Sequence, residues 1–107
     1  MNSKTGIISI CRKAGRMVMG MDMVKDACYS GKAAAVFIAE DFSDKSKKEA
    51  RYVCGRYGVK LYELGMTMDE IGGCAGKRSG IIAVTDQGFA KSMAKGLEEV
   101  ITETTEY

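Results

Sequence analysis

A chain of 107 residues with 46% hydrophobic and 28% charged content has the size and balance of one folded domain, which excludes a disordered polypeptide. No apolar run approaches the roughly 20 residues that span a bilayer, and the N-terminus lacks the apolar stretch of a signal peptide, so a cytoplasmic protein without membrane contact is expected. The net charge of +2 is uneven: residues 1–60 hold twelve Lys/Arg against six Asp/Glu and residues 61–107 four against eight, which fits either one positive face or ordinary solvated charge.

With no proline in the chain, glycine supplies the punctuation. Ser3 or Lys4 opens a first helix that places Ile7, Ile8, Ile10, Cys11 and Ala14 on one face, and Gly15 ends it. Arg12, Lys13 and Arg16 gather at that end, where cations also suit the helix dipole. Val18 and Met19 read as a short strand, Gly20 as a turn, and residues 22–30 as a helix burying Val24, Ala27 and Cys28 before Gly31 stops it. Ala34-Ala35-Val36-Phe37-Ile38-Ala39 is apolar on both faces, as a central strand under helices should be.

Ser43 or Asp44 caps a third helix, with Ala50, Val53, Cys54 and Tyr57 inward, Lys45, Lys47, Lys48, Arg51 and Arg56 outward, and Gly58 as its stop. Val59-Lys60-Leu61-Tyr62 is the next strand. Thr67-Met68-Asp69-Glu70 is a capping box that opens a short helix ending at Gly72-Gly73 or shortly after. Residues 76–80 form a polar loop, Ile81-Ile82-Ala83-Val84 a buried strand, and Thr85 or Asp86 caps a last helix carrying Phe89, Met93 and Leu97. A polar, acidic tail follows from about residue 101. Alternating strands and helices of this length imply one α/β domain over residues 1–107 with helices on both faces of a small sheet.

The four cysteines form no C-x-x-C pair, and with no histidine a zinc site would need all four thiolates; buried thiols are expected, with no metal and no cofactor. The lack of imidazole also removes the commonest general base. Glu40 and Asp41 end the central strand, where paired carboxylates could do acid–base work, but capping the next helix suits them better. No nucleophile–base pair is visible, so no enzyme is expected.

Two places could meet an anion. The helix start after Gly20 offers unpaired backbone N–H groups, and Lys13 and Arg16 lie close by in sequence. The turn is either an anion-binding corner or an ordinary strand-to-helix connection in which Asp22 is a first-turn acid. Met17 or Met19 should fill the core, while Met21 and Met23 fall where the chain turns and are left open between core and contact with a base or partner protein. Gly76-Lys77-Arg78-Ser79-Gly80 lacks the phosphate-loop order and precedes a strand rather than following one, which excludes nucleotide hydrolysis of that type. Lys77 and Arg78 remain candidates for a nucleic-acid backbone, with solvated loop residues as the alternative.

Gly20-x-Asp22, Gly31-Lys32-Ala33, Ile38-Ala39-Glu40-Asp41, Cys54 with Tyr57-x-Val59, Ile71-Gly72-x-Cys74-Ala75-Gly76-Lys77 and Ala83-Val84-Thr85-Asp86-Gln87-Gly88-Phe89-Ala90 occur in the order and spacing of a known family. The chain resembles the ribosomal protein L-seven-Ae family of kink-turn RNA binders, in its bacterial YlxQ-like branch, from about residue 6 to residue 97. The resemblance implies a three-layer α/β/α sandwich with a small mixed, mostly four-stranded sheet. It also implies a small, ribosome-associated protein whose partner is structured RNA, ribosomal or kink-turn-like; a monomer is expected. A protein-interaction module on the same scaffold is the alternative.

In the family, the start of the second helix reads tandem sheared G·A pairs and the loop before the last strand shelters a flipped-out nucleotide. On this chain these elements are Gly20, Met21, Asp22, Met23, Lys25 and Asp26, and Lys77, Arg78, Ser79 and Gly80, with Lys13, Arg16 and Lys32 as flanking cations. The family pattern G-x-N-E-x-x-K departs here to Asp22, Met23 and Asp26. An amide both donates and accepts, whereas an ionised aspartate only accepts. Lys25 is adjacent to the lost lysine but points about 100° away around the helix.

Overall fold

The computed structural model describes residues 4–102. In chain order the elements are α1 (Thr5–Lys13), β1 (Met17–Met19), α2 (Met21–Tyr29), β2 (Ala35–Ile38), α3 (Asp44–Tyr57), β3 (Leu61–Glu63), α4 (Met68–Ala75), β4 (Ile81–Val84), α5 (Gln87–Ala94) and β5 (Glu99–Val100). The strands lie in the order β1-β4-β2-β3-β5. Among the described residues only β2 and β3 run parallel; the β1–β4, β2–β4 and β3–β5 pairs are antiparallel.

Successive strand residues point to opposite faces, and β2 divides its side chains accordingly. Ala35 and Phe37 enter one core with Ile8, Cys11, Met17, Met19, Ile71 and Met93, beneath α1, α4 and α5. Val36 and Ile38 enter the other with Val24, Cys28, Ala50, Val53 and Cys54, beneath α2 and α3. The fold is therefore a three-layer α/β/α sandwich on a mixed sheet.

The sheet has five strands among the described residues rather than mostly four. The fifth is the two-residue β5, held to β3 by backbone pairing of Leu61 with Val100 and Tyr62 with Glu99, and a two-residue strand leaves no hydropathy pattern to read. β3 begins two residues later than expected because Val59 still belongs to the helix ending: its N–H returns to the Cys54 carbonyl (2.9 Å) past the left-handed Gly58. Ser43 caps α3, and Thr67 and Glu70 form the expected capping box on α4. α4 runs through Gly72 and Gly73 to Ala75.

Three inward assignments fail. Ile10 is 58% exposed and Ala14 is also exposed, because α1 packs through the narrower stripe of Ile7, Ile8 and Cys11. Tyr57 lies on the surface, its ring edge-on to Tyr29 at 6.0 Å. Met17 and Met19 are both buried, as are Cys11, Cys28 and Cys54, whereas Cys74 is only partly covered. A helix opening at Ser3, and the tail beyond residue 102, fall outside the described residues. No helix among the described residues is long and apolar enough to cross a membrane.

Candidate nucleic-acid interface

The register decides which loops meet. Met19 pairs with Ile82, and Ile38 with both Ile81 and Glu63. The residues after β1, β2 and β3 and those before β4 therefore gather at one end of the sheet. Gly20 N–H donates to the Ile81 carbonyl (3.1 Å), and Ala39 N–H to the Gly80 carbonyl (2.9 Å). The helix start and the 76–80 loop, far apart in sequence, are stitched together.

Gly20 has φ 93° and ψ 149°, a conformation open in practice only to glycine. It turns the chain from β1 straight into α2 and provides no side-chain cap. Val24 N–H closes the first helical bond to the Gly20 carbonyl. The N–H groups of Met21, Asp22 and Met23 stand at the positive end of the helix dipole, with no acceptor among the described residues. Asp22 and Asp26 are exposed, and Met23 is 53% exposed, so its thioether faces outward. Met21 is half-buried against the α2–α3 core. Lys25 forms an ion pair with Glu49 of α3, which raises its pKa.

The 76–80 loop is built by close packing. A Cβ on Gly80 would lie 2.0 Å from the Phe42 ring, and one on Gly72 would lie 3.2 Å from the Arg78 Cα. Glycine at both places lets the loop fold flat between β2 and α4. Ser79 turns inward: it is 6% exposed, its hydroxyl donates to the Ile81 carbonyl (2.7 Å), and it accepts from the Ile81 N–H. Its hydroxyl shapes the loop and is not offered to a ligand. Arg78 reaches back over α4 to Asp69 (2.6 Å). Lys77 is exposed, with no side-chain partner among the described residues. Asp41 Oδ1 accepts from Met68 N–H (2.9 Å), so that carboxylate caps α4 rather than α3. Phe42, Asp41 and Asp69 thus shape the loop, and no sequence pattern marks their partners 9 to 38 residues away.

Lys13, Arg16 and Lys32 are not part of this edge. Arg16 precedes β1 and Gly20 follows it, so four residues of extended chain, about 13 Å, separate them. The helix α2 then runs back, carrying Lys32 to the Arg16 end of the sheet, where Arg16 accepts from Thr85 N–H and Ala34 N–H donates to Val84. Of the two readings of this turn, the corner of Lys13, Arg16 and the Gly20 helix start does not form, because closeness in sequence is undone by the strand between them.

Two of the buried thiols are held in their neutral form. Burial, with Asp86 nearby, pushes Cys11 up to about 11. A hydrogen bond with Cys28, then burial, pushes Cys54 well above its ordinary value. Both stay protonated at neutral pH.

The sequence model of the ribosomal protein L7Ae/L30e/S12e/Gadd45 family matches residues 5–94. The chain is 29% identical over 92 residues to an RNA-binding protein YlxQ of Enterococcus faecium, covering 86% of this chain and 88% of that one. It is likewise 29% identical over 93 residues to the RNA-binding protein YlxQ of Bacillus subtilis (strain 168), covering 86% and 92%. A solved structure of a protein of unknown function from Bacillus halodurans C superposes with a TM-score of 0.81 at 23% identity, over 89% of this chain and 96% of that one.

Proposed function

The chain belongs to the ribosomal protein L7Ae/L30e/S12e/Gadd45 family, and from that premise we propose that it is a non-enzymatic protein that binds structured RNA of the kink-turn type, with ribosomal RNA as its natural target. The observation that carries this reading is the Gly20–Ile81 hydrogen bond, which sets the open helix start and the 76–80 loop on one edge. RNA is recognised through bends, bulges and unstacked bases, and such an edge suits them. The free N–H groups of α2 face acceptors on the RNA, and the Asp22 carboxylate accepts from guanine N–H groups. Met23 lays its flexible thioether against an unstacked base, while Lys77 supplies a phosphate contact. The names of the two YlxQ relatives support the RNA-binding class.

Asp26 lowers affinity, since it places an anion where the family pattern has a lysine. The test is a titration of a standard kink-turn RNA and a plain duplex of equal charge between about 50 and 200 mM salt. The kink-turn should bind more tightly, and substituting Lys77 and Arg78 together by alanine should weaken binding and flatten its salt dependence. Equal affinity for both RNAs removes the kink-turn assignment, and an unchanged affinity and slope in the variant removes the loop.

A further inference from the structure

The cations displaced from the reading edge assemble elsewhere. At the opposite end of the sheet, Met17 and Ala35 both pair with Val84, and Val36 with Leu61. This brings together the segments before β1, β2 and β3 and the segment after β4. One cleft there, of about 550 Å³, is lined by Arg16, Lys32 and Thr85. A second, of about 620 Å³, is lined by Lys60, Lys91 and Tyr62. The two share Ala34 and Gln87 and so form one continuous surface. Lys13, on the last turn of α1, precedes in sequence the Gly15 and Arg16 that line the first cleft.

The charges at the two ends of the sheet are handled differently. At the reading edge and on the adjoining helices, Lys25 is matched by Glu49, Arg78 by Asp69, and Lys47 by Glu63 and the Glu40 carbonyl, which leaves Lys77 there without a side-chain partner among the described residues. At the opposite end, the side chains of Arg16, Lys32, Lys60 and Lys91 have no partner among the described residues. Asp86, in the same stretch, directs its Oδ1 to the Phe89 N–H as the cap of α5. Four unpaired cations around joined clefts repel one another, and a polyanion relieves that repulsion.

We propose that this end is a second RNA surface, one that grips the phosphate backbone of a duplex while the Gly20 edge reads a bend. Double-stranded RNA is recognised by shape, through phosphate and 2′-hydroxyl contacts. The four cations supply the phosphate contacts, and the Thr85 hydroxyl and Gln87 amide supply partners for 2′-hydroxyls. Because the two surfaces lie at opposite ends of the strands, one molecule holds two RNA segments at once. The inference rests on the RNA-binding reading but not on kink-turn specificity.

The experiment measures binding of a plain RNA duplex of about 20 base pairs between about 50 and 200 mM salt, with a standard kink-turn measured alongside. Arg16→Ala/Lys32→Ala is compared with Lys45→Ala/Lys48→Ala, a charge-matched pair on α3 that lines neither cleft. All four side chains are exposed or half-exposed, and thermal melts verify that both variants fold. Arg16→Ala/Lys32→Ala should weaken duplex binding about tenfold at low salt and reduce the log–log salt slope by about 1.5 to 2, since each phosphate contact contributes nearly one. An unchanged slope, an equal loss in the α3 variant, or competition by polyglutamate as effective as that by duplex at equal charge overturns the proposal. Wild-type protein that binds neither RNA overturns the proposed function instead, and this surface with it.

Discussion

Two glycine-to-alanine substitutions, chemically identical, should move stability in opposite directions. At Gly73, within the last turn of α4, an added Cβ meets nothing within 4 Å and φ is ordinary. Alanine there should raise stability by about 0.5–1 kcal/mol, because glycine is a poor helix former. At Gly20 an added Cβ also meets nothing within 4 Å, so no clash enters. What changes is the backbone: φ 93° and ψ 149° cost a non-glycine residue roughly 1–3 kcal/mol. The chain cannot relax freely, since Gly20 N–H is held by Ile81 and its carbonyl by Val24 N–H. Releasing either bond forfeits about 1 kcal/mol. Alanine also removes about 0.4–1 kcal/mol of unfolded-state entropy, which leaves a net loss of about 1–2 kcal/mol for Gly20→Ala. Urea unfolding of the two variants should therefore separate by about 1.5–3 kcal/mol around wild type. Values of the same sign within about 0.5 kcal/mol of each other would refute the backbone reasoning.

Gly80→Ala should destabilise strongly, since its Cβ would sit 2.0 Å from Phe42; adding Phe42→Ala should recover part of the loss, and an additive double-mutant cycle would show that the contact is not the cause. Cys11 ionises near 9 when unfolded and about 11 in the fold, so the folded state holds the extra proton in that window. Its contribution, up to about 2–3 kcal/mol for two pKa units, is intact below pH 9 and lost as pH rises towards 11. Denaturation midpoints should fall more steeply across that range in wild type than in Cys11→Ala. Asp22→Asn with Asp26→Lys should tighten kink-turn binding by about tenfold, read by titration, because it restores a donor and exchanges an anion for a cation. Unchanged affinity would place those two residues outside the contact.

Much of this was legible in the sequence, for reasons that are local. β2 announces itself as an apolar run on both faces, the α4 capping box is written in four consecutive residues, and Gly20 marks a turn that only glycine makes. The alternation of strands and helices places helices on both faces of the sheet, and the family resemblance adds that the sheet is mixed. Orientation across space was not legible. Arg16 looks adjacent to Gly20 until a three-residue strand carries them to opposite ends of the sheet. Ser79 looks like a solvent-facing loop residue, but its hydroxyl is drawn inward by Ile81. Arg78 looks free until Asp69, nine residues earlier, takes it up. Each depends on a partner brought close by the fold, which no local pattern encodes. β5 is not legible in the sequence, because two residues paired through their backbone carry no side-chain signature.

The placement of RNA on the Gly20 edge is tested most directly by titrating isotope-labelled protein with a kink-turn RNA and following the backbone amide resonances. The N–H signals of Met21, Asp22 and Met23 should shift together with those of Lys77, Arg78, Ser79 and Gly80 at the same RNA concentration. Saturable binding that leaves both groups unmoved would contradict the proposed edge.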